Sequence, residues 1–441
     1  MIPLRFSSCL WILFYLLMAT APLIGGIFNL SHGRGFWTNF SAALGFVALS
    51  MFAAQFVLVS RIRAISEPVG MDGVIALHKY LAYAAAAFAL VHPAILFTLD
   101  KKYWPLLNVF TSPLRAKFAV LATFALLLII VLSIWRKPLK IRYPVWKATH
   151  WFLSILVVVG GLAHAALVNY YLKDPWEQLT WLALSVLFVL LGVWVRIIKP
   201  LLHYRRRWRI VDMYEAPTGV TNLTLGLVDP DAYGPAGFRF KPGQFSWIMA
   251  GRSPFALTYH PFSLTSSAEQ TRQIAFSIKA FDGFSSDIAN LRVGDNVYVD
   301  GPHGTFFMED KSDSPIVLIA GGVGVTPLVS MLATLADRGS QRPCHLWLAN
   351  RDSNQVACGV QIADLEKRLN LVVKHLFSQS ETGPTGQRLD TTFIKSNLPD
   401  RFDEAVYYMC GPTALMDSAQ ATLIACGVPG HRIHSERFSM V

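Results

Sequence analysis

The stretch HKYLAYAAAAFALVH runs from His78 to His92 and determines the fold of the first part of this 441-residue chain. The stretch HWFLSILVVVGGLAH, from His150 to His164, repeats the pattern: an apolar run with a histidine at each end. Fourteen positions along an α-helix cover about 21 Å and fall only about 40° short of four full turns. Both members of each pair are therefore predicted to lie on one face of an apolar helix, at two depths.

Histidines inside apolar helices have two interpretations. A single polar side chain there is usually a satisfied interhelical hydrogen bonder. Ionisable groups in a membrane are nevertheless costly and usually functional, and here the same spacing occurs twice. A neutral imidazole nitrogen is a ligand of haem iron, and helix bundles build such sites from facing side chains. The pattern favours two stacked haems with His78, His92, His150 and His164 as iron ligands.

The composition divides the chain into an apolar half and a soluble half. Apolar residues make up 53% of the sequence, and they are concentrated before about residue 200. The five cysteines show no CxxC spacing, so we infer neither a disulfide framework nor a zinc or iron–sulfur site. Six apolar runs have the length of a membrane-spanning helix and predict a multi-pass protein in contact with lipid: 9–28, 40–60, 75–98, 117–135, 148–170 and 178–198.

The first apolar run has a second interpretation, since it also resembles a cleaved signal peptide. We favour a helix, because six spans leave both termini on the same side of the membrane. Basic residues cluster where the apolar runs end, so the net charge of +11 indicates membrane topology rather than nucleic-acid binding. These clusters are Arg61 with Arg63, 136–142 and 205–207.

The basic clusters also predict an orientation. The positive-inside rule puts both termini and the soluble half in the cytoplasm, as expected of a protein in the cell inner membrane. His78 and His150 then share the inner level, and His92 and His164 share the outer level. The glycine pair at 160–161, one turn before the last histidine, either leaves room for a flat porphyrin or allows close helix packing.

The soluble half begins with six strand-like runs, which predict a small antiparallel barrel: RIVDMY, NLTLGLV, QFSWIMA, HPFSLTS, IAFSIKA and NVYVDGP. The motif HPFS at 260–263 places an aromatic ring, a rigid turn and a hydroxyl together, as a flat polar ring system requires. The stretch at 279–286 ends a strand, turns and opens a helix with serines. Such a helix start holds a phosphate near Lys279 or is an ordinary serine N-cap.

The remainder of the chain alternates strands and helices, which predicts a parallel doubly wound sheet. Its first strand runs into GGVGVTP at 321–327, where glycines let the backbone approach a pyrophosphate and Thr326 begins a helix that faces it. Cys410 and Gly411 follow a later strand, at the edge where ligands of such sheets bind. Arg351 follows the second strand, where a cation meets the 2′-phosphate of NADPH, and this favours NADPH over NADH.

These motifs, in this order, resemble the NADPH oxidase and ferric reductase family of transmembrane flavocytochromes b, of the prokaryotic type without EF-hands. The resemblance covers nearly the whole chain and implies a multi-domain membrane protein. Its parts are a six-helix transmembrane haem bundle at 1–202, a ferredoxin-reductase-type antiparallel β-barrel that binds FAD at 203–312, and an α/β Rossmann-like NAD(P)H domain at 313–441. The implied cofactors are FAD, two b haems and NADPH, with NADH as the alternative.

The resemblance also implies roles for residues at the flavin. The isoalloxazine is bordered by four consecutive residues, His260, Pro261, Phe262 and Ser263. Lys279 and Ser285 help to hold the FAD pyrophosphate. Asp282-Gly283 reverses the order Gly-Asp that is frequent in related chains, which leaves the details of that turn open.

At the nicotinamide, the resemblance implies that Gly322, Gly324 and Thr326 receive the phosphates of NADPH. Cys410 and Gly411 flank the nicotinamide. The aromatic end at Phe438 shields the flavin until nicotinamide displaces it, so Cys410 and Phe438 are the implied catalytic residues.

The implied function is electron transfer from cytoplasmic NADPH, through FAD and the inner and outer haems, to an acceptor on the outer side. The sequence leaves the acceptor open between ferric or cupric complexes and oxygen, which would give superoxide. An alternative of a different class is an electron-delivery subunit for a periplasmic protein partner.

Overall fold

The computed structural model describes residues 6–27, 35–62, 70–216, 219–250, 253–255, 259–279, 290–309, 313–379 and 388–438. Internal contacts divide the chain into two compact units, Met1–Pro200 and Leu201–Val441. Each unit has hydrophobic cores of its own.

The first unit consists of α-helices that follow the predicted apolar runs: α1 (Phe6–Ile27), α2 (Phe36–Leu58), α3 (Met71–Leu99), α4 (Leu114–Ile134), α5 (Tyr143–Val168) and α6 (Pro175–Val193). A π-helical turn, Trp194–Ile198, joins α6 to the short helix α7 (Lys199–Arg205). In the described part of the chain, five helices, α2 to α6, are long and apolar enough to cross a membrane. The first run contributes a shorter apolar segment, Leu10–Ala21, so a six-span bundle stays a prediction.

Local chemistry sets the ends of the later helices. Pro144 and Pro175 lie in the first turns of α5 and α6, where a missing N–H costs no helical hydrogen bond. Asn169 ends α5 in the left-handed conformation, with φ of 48°. Pro93 lies inside α3 without ending it, since neighbouring helices can compensate for the lost hydrogen bond.

The bundle packs as two close helix pairs, α2 with α3 and α4 with α5. A Cβ at Gly160 would lie 3.2 Å from the Cβ of Ala122 in α4. A Cβ at Gly161 would lie 2.8 Å from a methyl of Leu49 in α2. Both glycines therefore serve close helix packing, the second of the two explanations offered by the sequence.

The second unit begins with a six-stranded antiparallel sheet of order β4-β3-β6-β1-β2-β5. Its strands are β1 (Trp208–Ala216), β2 (Val220–Leu227), β3 (Phe245–Ala250), β4 (His260–Ser263), β5 (Gln273–Lys279) and β6 (Asn296–His303), which match the six predicted runs. Leu264, directly after β4, forms a bridge to Phe276 of β5 at the opposite edge. Trp208, Phe238 and Phe276 are among the fully buried side chains of this core.

A five-stranded parallel sheet of order β11-β10-β7-β8-β9 follows. Its strands are β7 (Ile316–Gly321), β8 (Cys344–Asn350), β9 (Leu371–Phe377), β10 (Val406–Pro412) and β11 (Ile433–Phe438). The helices are α8 (Val325–Asp337), α9 (Gly359–Arg368), α10 (Thr391–Asn397) and α11 (Thr413–Ala425). The sequence did not predict β11, because the edge strand IHSERF lacks an apolar run and pairs only with β10.

Candidate functional site

Two pairs of histidine rings face each other between α3 and α5. The ring centroids of His78 and His150 lie 6.5 Å apart, with 63° between the ring planes. The ring centroids of His92 and His164 also lie 6.5 Å apart, at 60°. Histidines at two depths of one helix thus meet histidines at two depths of the other.

The separation within each pair fits a metal ion between two imidazole nitrogens. Such nitrogens bind metals at about 2.0–2.1 Å and lie roughly 1.1 Å from the ring centroid, so the centroids of two rings on opposite sides of an ion are about 6–6.5 Å apart. A direct hydrogen bond of about 2.9 Å between the rings would bring the centroids to about 5 Å. The measured 6.5 Å in both pairs matches the first arrangement.

Main-chain oxygens orient the outer pair, His92 and His164. Nδ1 of His92 lies 2.8 Å from the main-chain oxygen of Ser41 in α2. Nδ1 of His164 lies 2.8 Å from the main-chain oxygen of Arg115 in α4. Because a carbonyl oxygen only accepts, each Nδ1 carries the proton, and Nε2 is left as the nitrogen that can bind a metal.

The inner pair, His78 and His150, has longer contacts. Nδ1 of His150 lies 3.4 Å from the hydroxyl oxygen of Ser133, and the indole nitrogen of Trp146 lies 3.4 Å from the same oxygen. The ring centroids of Trp146 and His150 lie 5.2 Å apart. Nδ1 of His78 is buried without a hydrogen-bond partner in the part of the chain that the structure describes. The potential metal ligands of both pairs are nevertheless the same, two imidazole rings.

Small residues that the sequence did not single out complete the outer site. Ser41 contacts His92, and a Cβ at Gly45 would lie 3.2 Å from Cγ of the His92 ring. Ser41 and Gly45 are four residues apart on α2 and therefore share a face. Small residues are common in membrane helices, so this spacing alone carried no usable signal.

The predicted flavin motif, His260-Pro261-Phe262-Ser263, forms β4 of the antiparallel sheet. It pairs with β3 in a register that sets Phe262 opposite Ser246. Ser263 is buried, whereas the three preceding residues keep exposed surface. The motif thus offers an aromatic ring, an imidazole and a rigid turn at an accessible edge of the sheet.

The second flavin segment is only partly described. Lys279 is the last residue of β5, half-buried and paired in register with Val220. Ser285 and the turn at Asp282-Gly283 lie outside the described residues.

The glycine loop after β7 forms a 3-10 turn, Gly322–Gly324, that leads into α8. Gly322 has φ of +56° and a Cβ there would meet open space. Gly324 instead packs against β10, where a Cβ would collide with the main chain of Cys410. The hydroxyl of Thr326 donates to the main-chain oxygen of Val323 at 3.0 Å, and the side chain is buried.

The predicted nicotinamide residues lie at the carboxyl end of β10. Cys410 is fully buried, and Gly411 approaches the main-chain nitrogen of Gly321 so closely that a Cβ would lie 3.0 Å from it. Burial first and the nearby Glu436 second raise the pKa of the Cys410 thiol well above its ordinary value. The thiol is therefore neutral and packed against its neighbours.

Two further predicted residues lie at the same edge of the parallel sheet. Arg351 directly follows β8 and is exposed. The backbone of Phe438 ends β11 opposite Pro412 of β10. The side chain of Phe438 lies outside the described residues.

The chain is similar to known redox proteins in all three of its parts. Residues 44–161 match the family described as ferric reductase like transmembrane component, residues 227–326 match an FAD-binding domain, and residues 318–421 match an oxidoreductase NAD-binding domain. The transmembrane match contains three of the four histidines, His78, His92 and His150.

Curated relatives match the soluble half. The reductase component of propane 2-monooxygenase from Rhodococcus jostii is 26% identical over 53% of this chain and 63% of its own length. The flavohemoprotein of Chromobacterium violaceum is 31% identical over 45% of this chain and 53% of its own length. The chain thus spans less than two thirds of these relatives.

Among solved structures, the FAD/NAD binding domain of nitric oxide dioxygenase from Vibrio cholerae matches 53% of this chain and 98% of that domain, at 24% identity and a TM-score of 0.45. The three family matches follow one another in the order that the sequence motifs predict. The chain combines a ferric-reductase-like transmembrane region with an FAD-binding domain and an oxidoreductase NAD-binding domain, which is the domain architecture of the NADPH oxidases and ferric reductases.

Proposed function

We propose that this chain carries electrons from cytoplasmic NADPH, through FAD and two b haems, to a small acceptor on the outer side of the cell inner membrane. One observation carries the proposal: two histidine pairs with the same 6.5 Å separation lie at two levels of the same two helices. One bis-histidine site would serve a local redox centre, whereas two stacked sites suit passage across a membrane.

The cofactors divide the chemistry between them, since nicotinamide gives up a hydride, flavin accepts two electrons and haem iron carries one. The four histidines would hold the two haems and fix their orientation. His92 and His164 donate hydrogen bonds from Nδ1–H to main-chain oxygens, which leaves Nε2 of each ring as the nitrogen that would bind iron. His78 and His150 would supply the ligand nitrogens at the inner level.

The soluble half would bind the two nucleotides. We assign the flavin to the accessible β4 motif at the edge of the antiparallel sheet. The open space beside Gly322, at the start of α8, suits a phosphate near the positive end of a helix. Arg351 is exposed at the same sheet edge, where the 2′-phosphate of NADPH would need a cation.

Charge supports the proposed orientation. The inner histidine level lies toward the helix ends that carry the basic cluster at 136–142 and the residues Arg196 and Lys199. The opposite ends carry fewer basic residues, among them Lys101, Lys102 and Arg115. With six spans, the positive-inside rule would put both termini in the cytoplasm.

The first test of the proposed function measures the cofactor content of the chain and the reduction of those cofactors by NADPH. The full chain, purified in detergent, should contain two b haems and bind one FAD. NADPH should reduce the flavin and then both haems under anaerobic conditions. A preparation that binds FAD but at most one haem per chain would contradict the proposal.

A second test identifies the acceptor. Haem iron held by two histidines would have no open coordination position, so the acceptor would react at the haem edge. Superoxide formation in air and ferric-chelate reduction without oxygen should be measured on the same preparation. Superoxide identifies an oxidase, and rapid ferric or cupric reduction without superoxide identifies a metal reductase. Haems that NADPH reduces and that neither acceptor oxidises would instead indicate a periplasmic protein partner.

A further inference from the structure

The outer histidine His92 is held by one residue at three points. Its Nδ1 lies 2.8 Å from the main-chain oxygen of Ser41 and 2.9 Å from the Ser41 hydroxyl. That hydroxyl donates to the main-chain oxygen of His92 at 2.7 Å. Ser41 is fully buried, and Gly45 packs against the same ring one turn later. Together Ser41 and Gly45 form a seat on α2 that fixes the plane of the His92 imidazole.

The two levels differ in what their Nδ1 protons meet. At the outer level His164 also donates to a main-chain oxygen at 2.8 Å, that of Arg115. At the inner level Nδ1 of His150 has a hydroxyl at 3.4 Å, a distance beyond the usual range of a hydrogen bond. Nδ1 of His78 has no partner among the described residues. The outer imidazoles are therefore the more strongly hydrogen-bonded pair.

This difference has a chemical consequence for a metal bound at Nε2. An imidazole that donates its other N–H to a carbonyl is a more basic ligand. A more basic ligand favours the oxidised, more positive iron over the reduced one, and hydrogen bonding around a haem is one of the ways in which proteins set its potential. Among the described residues, two hydrogen bonds of 2.8 Å at the outer level and none of that length at the inner level should separate the two reduction potentials.

We infer that Ser41 is the positioning residue of the outer site, and that the unequal hydrogen bonding gives the outer iron the lower reduction potential of the two. The inference rests on the proposed function, because it takes haem iron as the metal. The main-chain oxygens are present in every side-chain variant. The hydroxyl of Ser41 can be removed without adding bulk.

The test is a potentiometric titration of the full chain in detergent, followed at the haem absorption bands. Wild type should titrate as two one-electron components, and His164→Ala identifies the outer one by its loss. Ser41→Ala should raise the potential of that lower component and leave the other in place. Ser50→Ala is the matched control, since Ser50 is equally buried on α2 but its hydroxyl bonds the main-chain oxygen of Phe46 in its own helix.

The other possible results of this titration distinguish failure of the inference from failure of the proposed function. Loss of the outer haem in Ser41→Ala, with haem content retained in Ser50→Ala and restored in Ser41→Thr, also supports a positioning role. An unchanged outer potential in Ser41→Ala, with both haems bound, overturns the inference and leaves the proposed function standing. An outer component of higher potential than the inner one overturns it too. A wild-type protein without two haems would instead refute the proposed function.

Discussion

Nδ1 of His164 and the main-chain oxygen of Arg115 lie 2.8 Å apart, which ties the last turns of α5 to the first turn of α4. The contact uses the backbone of Arg115 and not its exposed side chain. The orientation of His164 therefore depends on where α4 begins, and this is set by helix packing rather than by the residue at position 115.

We expect Arg115→Ala to retain both haems, because the oxygen that accepts the His164 proton is still present. Haem content per chain, measured as the pyridine complex after purification, checks this. His164→Ala, which removes the hydrogen-bond donor itself, is the informative contrast and should lower outer-haem content. Haem loss in Arg115→Ala would show that the guanidinium group, and not the carbonyl, holds the site.

Substituting the histidines should remove one haem at a time. His92→Ala or His164→Ala should abolish the outer haem and leave reduction of the flavin by NADPH unchanged, since the nucleotide motifs lie in the other unit. His78→Ala or His150→Ala should abolish the inner haem. Haem content and flavin reduction measured side by side check the assignment, with the exposed His375→Ala as control. Full haem content in any of the four variants would count against the pairing.

Gly324→Ala should destabilise the nicotinamide-binding part of the chain. A Cβ there collides with the main chain of Cys410, and the backbone cannot rotate away as a flexible side chain can. Overpacking of this kind costs about 1–3 kcal/mol. The loss of stability should appear as a lower midpoint temperature at which NADPH-dependent flavin reduction is lost. The control is Gly359→Ala, where the nearest atom is 4.0 Å away. Equal midpoints for the two variants would refute the close approach.

The stability of the soluble half should fall in alkaline solution. Burial raises the pKa of the Cys344 thiol to about 11, and burial likewise raises the pKa of the Cys358 thiol to about 11. In the unfolded chain a cysteine thiol has a pKa of about 8.5, so the buried neutral thiols make their full contribution to stability below that pH. This contribution is lost as the pH rises toward 11.

Thermal unfolding of the full chain, followed by FAD fluorescence between pH 8 and pH 11, checks the alkaline effect. The double variant Cys344→Ala, Cys358→Ala should show a shallower decline with pH than wild type. Parallel curves for the two proteins would show that these thiols do not titrate on unfolding in this range.

Helix periodicity explains why the histidine pairs could be predicted. A spacing of fourteen depends only on residues within one helix, and two helices with the same spacing meet at two levels when they run in the same direction. All strands except β11 were predictable for a similar reason, because each is an apolar or alternating run bounded by turns. The pairing of His78 with His150 and of His92 with His164 follows from that local regularity.

The seat on α2 and the role of Gly324 could not be predicted in this way. Ser41 contacts a histidine 51 positions later, and Gly324 contacts Cys410. Both contacts depend on how separate elements pack, and no periodic pattern in the sequence encodes that. The edge strand β11 was missed for a related reason, since its hydrogen bonds to β10 and not its composition make it a strand.

The most direct test of the central claim is the haem stoichiometry and spin state of the purified full-length chain. Reduced-minus-oxidised optical spectra, with electron paramagnetic resonance of the oxidised protein, should show two low-spin b haems per chain, each with two histidine ligands. A single haem, or a high-spin iron with an open coordination position, would contradict the account of two bis-histidine sites between α3 and α5.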